Sequence, residues 1–242
     1  MRVVSLVPSL TEAIAVTLPG ALVGATDWCS YPPDLAVARV GGSKYPDLDR
    51  IRALEPDVVI VNEEENRLSD AEALRAAGTR VYATFPRTVE AALDELGALL
   101  TALGAPGEPA WLRDARRAWT ASPARAEVQR AVIPVWRRPW VVLGRGTFAG
   151  DVLRRLGVAN VFADDEERYP RPDLAQLTNH APDLVVLPDE PYAFHRGDGP
   201  EAFPGIPVAL VSGRHLTWYG PSLAEAPALL REQLADLYCH QA

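Results

Sequence analysis

Three loops carry the residue types that could recognise or transform a ligand: "NEEEN" at 62–66, "PDEPYAF" at 188–194 and "SGRHLTWYG" at 212–220. Each follows a short apolar run. The last sets Trp218 beside Tyr219, with Gly220 and Pro221 next. Adjacent side chains point to opposite faces of a strand and about 100° apart on a helix, so one ring of the pair is expected to face solvent or a cleft. Carboxylates at Glu63, Glu64, Glu65 and Glu190 could meet the polar rim of a ligand, while aromatic faces cover its apolar body. His195, His215, Cys29 and Glu64 together would form a mixed N/S/O set suited to zinc or cobalt, although lone histidines are more often surface or hydrogen-bonded residues. No GxSxG, HExxH or phosphate-loop pattern occurs and no Ser/His/Asp set stands out, so catalysis is not expected.

The elements that position these loops can be read from period. "VVSLVP" (3–8) is a strand leading into a helix at "SLTEAIAVTL", where Ser9 and Glu12 have capping-box spacing. "LVGAT" is a second strand. "LDRIRALEPDVVIVN" gives a helix, a Pro-Asp break and a strand at Val58–Val61, and "DAEALRAAGTRVYAT" repeats the move with Gly78 as helix stop. The second half follows the same order: "RAVIPVW" (130–136) as a strand, "TFAGDVLRRLGVANVF" as helix and strand, then "LAQLTNHAPDLVVLP", and finally "PGIPVALV". The internal match "IRALEPDVVIV" against "LTNHAPDLVVL" is weak in letters and good in pattern.

Alternating helices and apolar strands imply parallel sheets, and two such sets imply two similar α/β lobes. The expected division is an N-terminal lobe at 1–105, a connecting helix at 106–128 and a C-terminal lobe at 129–242. The connection has Trp111 and Trp119 on neighbouring faces, with Ser122-Pro123 at its end. Ligands of open parallel sheets bind beyond the carboxyl ends of the strands. There the first lobe would place the helix start at Pro8 and Ser9, the aromatics Trp28, Tyr31 and Tyr45, Cys29, and Glu64 and Glu65. The second would place Trp136, Trp140, Phe148, Tyr169, Glu190, Tyr192, Trp218 and Tyr219. Two such edges facing each other would make a cleft for a large, flat or amphipathic ligand.

Acidic residues outnumber basic ones by 32 to 24 and Lys44 is the one lysine, which argues against a nucleic-acid partner. The start "MRVVSLVPSLTEA" lacks the pattern of a secretory signal, and no apolar run approaches the roughly 18 residues of a membrane span. Cys29 and Cys239 have no CxxC partner, and reduced thiols in a cytoplasmic protein are expected.

Taken in order, "RVVSLVPSLTEAI", "LVGATDWCSYP", "DLDRIRALEPDVVIV" with "EEN", then "PW", "DVLRRLGVANVF", "DEPY" and "WYG" resemble the helical-backbone class of periplasmic binding proteins, which includes cobalamin, siderophore and metal receptors of ABC importers. The chain is most similar to the cobalamin-binding branch and its signal-less relatives. The resemblance implies two α/β lobes joined by a long helix, a ligand held between them with little closure, and no enzymatic activity or required cofactor. It implies cobalamin or another metal chelate as ligand, a monomer, and an ABC-transporter permease as partner. Dedicated metal receptors use His and carboxylate sets, and a bare-metal site is not expected. A cytoplasmic location follows from the start of the chain, with a periplasmic or lipoprotein form, its leader removed, as the alternative.

Overall fold

The computed structural model describes residues 1–121 and 129–238. Residues 122–128, with Ser122 and Pro123 of the expected connection, and Cys239 lie outside them. The chain forms two compact units. As far as they are described, the first holds Met1–Pro86, Ala91–Arg113 and Tyr219–Pro221, and the second holds Arg87–Glu90, Asp114–Trp218 and Ser222–Ala242.

In the first unit the chain runs β1 (Val3–Ser5), α1 (Pro8–Thr17), β2 (Leu22–Ala25), β3 (Ala38–Arg39), α2 (Leu48–Ala53), β4 (Val58–Asn62), α3 (Leu68–Ala76) and β5 (Val81–Thr84). These strands form a parallel sheet in the order β3-β2-β1-β4-β5. All five residues of β4 are buried, as a parallel strand covered on both faces requires. Val4, Leu6, Val40, Ile51, Val59, Val61 and Leu74 make the core. Helices α4 (Val89–Ala102) and α5 (Ala110–Thr120) follow. On α5, Trp111 donates to Thr17 Oγ1 at 3.0 Å, within the first unit, and Trp119 donates to the Leu223 carbonyl at 3.0 Å, within the second.

The second unit continues with β6 (Gln129–Val132), β7 (Pro134–Trp136), β8 (Val141–Val142), α6 (Phe148–Arg155), β9 (Val158–Asn160), α7 (Leu174–Asn179), β10 (Leu184–Pro188), β11 (Val208–Val211), α8 (Gly213–Thr217), α9 (Ala226–Ala235) and β12 (Leu237–Tyr238). Its sheet has the order β12-β11-β10-β6-β9, parallel except for β12, which runs antiparallel to β11. Val132, Val142, Leu177, Val185, Leu187, Phe194 and Phe203 lie at its centre. No helix among the described residues is long and apolar enough to cross a membrane.

The Pro-Asp repeat marks one construction used twice. Asp57 Oδ2 accepts the backbone N–H of Arg2 at 2.6 Å, and Asp183 Oδ2 accepts that of Arg130 at 2.9 Å. Each arginine then reaches back to carbonyls at the end of the preceding helix, Leu54 for Arg2 and His180 for Arg130. The residue before each proline, Glu55 at φ 46° and Ala181 at φ 44°, is left-handed and turns the chain out of the helix.

Two local expectations are corrected. Helix α1 begins at Pro8 with Val7 as an uncapped, extended N-cap, so Ser9 lies inside the first turn and forms no capping box with Glu12. Proline without an N–H suits the first helical position and holds the residue before it extended. The true capping box is Asp173 with Gln176 at α7. The single strand expected at 130–136 is broken at Ile133, because Pro134 has no N–H to continue a ladder, and the chain turns into the β7–β8 hairpin.

Candidate functional site

Within the first unit the carboxyl ends of β1, β2 and β4 gather most of the expected residues. Trp28 is 69% exposed, Tyr45 77% and Tyr31 38%, so three rings stand open where a core-capping role would hide them. The Arg67 guanidinium lies 5.1 Å from the centre of the Tyr45 ring. "NEEEN" is a clamped turn rather than a loose acidic loop. Asn62 Oδ1 accepts the N–H groups of Glu64 (2.8 Å) and Glu65 (3.3 Å), and Asn66 Oδ1 accepts that of Asn62 (2.7 Å). Asn66 also donates to the carbonyls of Leu6 and Ser43, tying the turn to the ends of two other loops.

Lys44 Nζ donates to the Glu64 carbonyl at 2.5 Å. Burial pushes the Glu65 carboxyl up to about 7; Lys44 opposes the shift, Glu64 adds to it, and a hydrogen bond from Tyr219 opposes it again. Cys29, expected at the rim, is fully buried, its Sγ 3.0 Å from Thr11 Oγ1 and 3.1 Å from Thr26 Oγ1. Burial raises its thiol pKa although both hydroxyls favour the thiolate, which makes it a poor nucleophile or metal ligand. Ser9 is buried, and its Oγ has no hydrogen-bond partner among the described residues.

In the second unit the β7–β8 hairpin and the loop after β10 build an aromatic cluster. Trp140 stacks on Phe194 at 6.2 Å and 6°, Tyr192 tilts against Phe194 at 4.6 Å, and Trp136 meets Tyr192 edge-on at 5.6 Å. Trp136 is 44% exposed, so the cluster has a buried base and an open edge. The Tyr192 hydroxyl donates to Asp198 Oδ2 at 2.5 Å, and Arg137 pairs with both Asp198 and Glu201 while lying 5.3 Å over the Trp140 ring. That hydrogen bond to a carboxylate holds the Tyr192 phenol above its usual pKa. Phe148, also expected at the edge, is buried at the start of α6.

The loop after β11 is the short helix α8, and it hides both rings of the Trp218–Tyr219 pair, which are 9% and 6% exposed. Glu190 lies beside it. Burial and the neighbouring Asp189 raise the Glu190 pKa, against a hydrogen bond from Trp218 and the charges of Arg214 and His215. Gly220, expected to turn with positive φ, is not left-handed; a Cβ there would sit 2.9 Å from the Ser9 carbonyl oxygen, and that contact is why glycine is required.

One constellation escaped the sequence reading. Ser212 Oγ lies 2.8 Å from His215 Nδ1, and His215 Nε2 lies 2.9 Å from Glu225 Oε1. The order is that of a nucleophilic triad, and the three-residue step from Ser212 to His215 was the signal. The chemistry is missing its second half: the N–H groups of Ser212 and Gly213 are spent on Gln233 and Asp189, so neither can stabilise an oxyanion. Among the described residues no group of three or more His, Cys, Asp or Glu could hold a metal ion, and His195 is an exposed turn residue that accepts from Gly197. A groove of about 820 Å³ lined by Phe162, Asp164, Glu167, Arg171, Gln176 and His180 contains none of the expected site residues.

A sequence model of the family described as periplasmic binding protein matches residues 3–202, and the chain belongs to that family. Over 203 residues, 79% of this chain and 72% of the relative, it is 27% identical to the vitamin B12-binding protein of Vibrio cholerae serotype O1. The crystal structure of the periplasmic vitamin B12-binding protein of Vibrio cholerae superposes with a TM-score of 0.73 at 21% identity, covering 97% of this chain and 96% of that one. A periplasmic heme-binding protein in complex with two hemes superposes with a TM-score of 0.81 at 24% identity, covering 97% and 98%. The cytoplasmic location expected from the start of the chain is thereby corrected, since the matched family and these solved structures are periplasmic binding proteins.

Proposed function

We propose that this periplasmic binding protein takes cobalamin or a similar metal-chelate ligand, leaves it chemically unchanged and delivers it to an ABC-importer permease. The observation that carries the ligand class is the set of open aromatic rings in loops after the strands: Trp28, Tyr31 and Tyr45 in one unit, and Trp136, edge-on to the half-buried Tyr192, in the other. Rings that cap a core are covered, whereas these spend apolar area on solvent, and a large ring system would recover it. The relatives named as vitamin B12-binding proteins support the corrinoid branch. Glu64 and Glu65 follow β4 and Glu190 follows β10, and carboxylates in those loops suit the amide rim of a corrin, for which a carboxylate is an acceptor.

A heme is the second chelate that fits, because the exposed Tyr31 and Tyr45 phenols offer an oxygen donor to a metal with an open coordination position. A bare divalent cation receptor or a chelatase fits less well, since His215 and Cys29 are committed to Glu225, Ser212, Thr11 and Thr26. Calorimetric titration with cyanocobalamin, cobinamide and heme tests the reading. Saturable binding of at least one chelate is expected, weakened about ten- to a hundredfold in Trp28→Ala or Tyr192→Ala. Binding of free zinc or cobalt ion with indifference to all three chelates would overturn it.

A further inference from the structure

The β7–β8 hairpin tip, Arg137-Arg138-Pro139-Trp140, contains two arginines with opposite fates. Arg137 is folded inward, shared between Asp198 and Glu201 and laid over Trp140. The network joins the hairpin to the loop after β10 and holds one guanidinium against two carboxylates. Arg138 is exposed, and no hydrogen bond or ion pair joins its guanidinium to any described residue. Its backbone is left-handed, at φ 70°, a conformation that glycine or asparagine adopts at lower cost. Arg138 places a cation with unspent donors two residues from the exposed Trp136 on the same hairpin, close enough for its charge to act on both Tyr192 and Asp198.

We infer that Arg138 is a specificity-determining residue that pairs with an anionic oxygen group on the rim of the chelate. This inference rests on the binding function proposed above and narrows its ligand to one bearing an anion. A guanidinium fork matches phosphate and carboxylate equally, so the shared chemistry is an oxyanion held by two N–H donors. The network around Arg137 supplies the rigidity: the hairpin tip is already fixed before ligand arrives, and the exposed Arg138 side chain is the part left to adjust.

The test compares wild type with Arg138→Gln and Arg138→Lys, and with Trp136→Ala, by calorimetric titration. The phosphodiester source is read from cyanocobalamin against cobinamide, which lacks the nucleotide arm. The carboxylate source is read from heme against its dimethyl ester. Arg138→Gln is expected to weaken the anionic member of one pair about ten- to a hundredfold, to leave the neutralised member unchanged, and to be partly rescued in Arg138→Lys. The loss should shrink with added salt. If Arg138→Gln binds all four ligands as wild type does while Trp136→Ala binds them weakly, the inference is wrong and the chelate reading stands. If wild type binds none of the four, the chelate reading has failed, and the inference with it.

Discussion

Asp57 and Asp183 hold equivalent places in the two units: each accepts the backbone N–H of an arginine that opens a neighbouring strand, Arg2 and Arg130. Each also donates its own N–H to that arginine's carbonyl at 2.8 Å. Alanine at either position removes one charge-assisted bond on an exposed edge. The expected cost is about 1 kcal/mol apiece, additive in the double variant because the sites are independent. Urea unfolding measures it, and a cost confined to one of the two would show that the repeat is one of shape without shared energetics.

Asp151 on α6 accepts the Val89 N–H at the start of α4 at 2.9 Å and pairs with Arg154 and Arg155. Burial alone would raise its pKa, but the Val89 hydrogen bond and the two guanidinium groups outweigh it and hold the carboxyl below its usual range. A depressed carboxylate stabilises the fold above pH 4 and loses that contribution as pH falls through its folded value. Asp151→Ala is therefore expected to cost about 2 to 3 kcal/mol at pH 7 and clearly less at pH 3. Equal losses at both pH values would assign the effect to packing instead.

Glu65 titrates with the opposite sign. Its folded value of about 7 lies above the 4.5 of a free glutamate. Below pH 4.5 both states hold the proton; as pH rises from 4.5 towards 7 the unfolded state releases it while the folded state keeps it, so stability falls across that window. Glu65→Gln keeps an acceptor for Tyr219 and removes the ionisation. Its melting temperature should exceed wild type at pH 8 and match it near pH 4.5, a difference on the order of 1 to 2 kcal/mol after allowance for partial exposure. A gap that does not vary with pH would separate Glu65 from the titration.

The Trp218–Tyr219 pair is more completely buried than its neighbouring residues suggested. Trp218→Ala and Tyr219→Ala are each expected to cost roughly 3 to 5 kcal/mol of stability. Thermal unfolding decides. A variant that melts normally yet loses ligand would return the ring to a direct binding role.

The sheets, their repeat and the edge where the open rings gather were legible because parallel strands and amphipathic helices have fixed periods, and because Pro-Asp punctuates β4 and β10 alike. What stayed hidden was set by partners distant in sequence. Nothing local in "TFAGDVL" says that Asp151 will meet Val89, and nothing in "DWCSY" says that Cys29 will turn inward between two threonines. The Ser212–His215–Glu225 chain was missed because its third member lies beyond the WYG turn, ten residues from His215. The two-residue strands β3 and β12 are too short for any period to show.

Gly220 gives the stretch "WYG" a different standing as a signature. Read as letters, it looks like a fingerprint of what the protein holds; read through the 2.9 Å approach to the Ser9 carbonyl, its last letter is a clearance between two main chains. A library of all substitutions at position 220, sorted for folded protein in the absence of any ligand, should therefore come back nearly empty. Chains that share this glycine then share a way of fitting a turn against the first helix, and two of them can carry it while transporting different cargo.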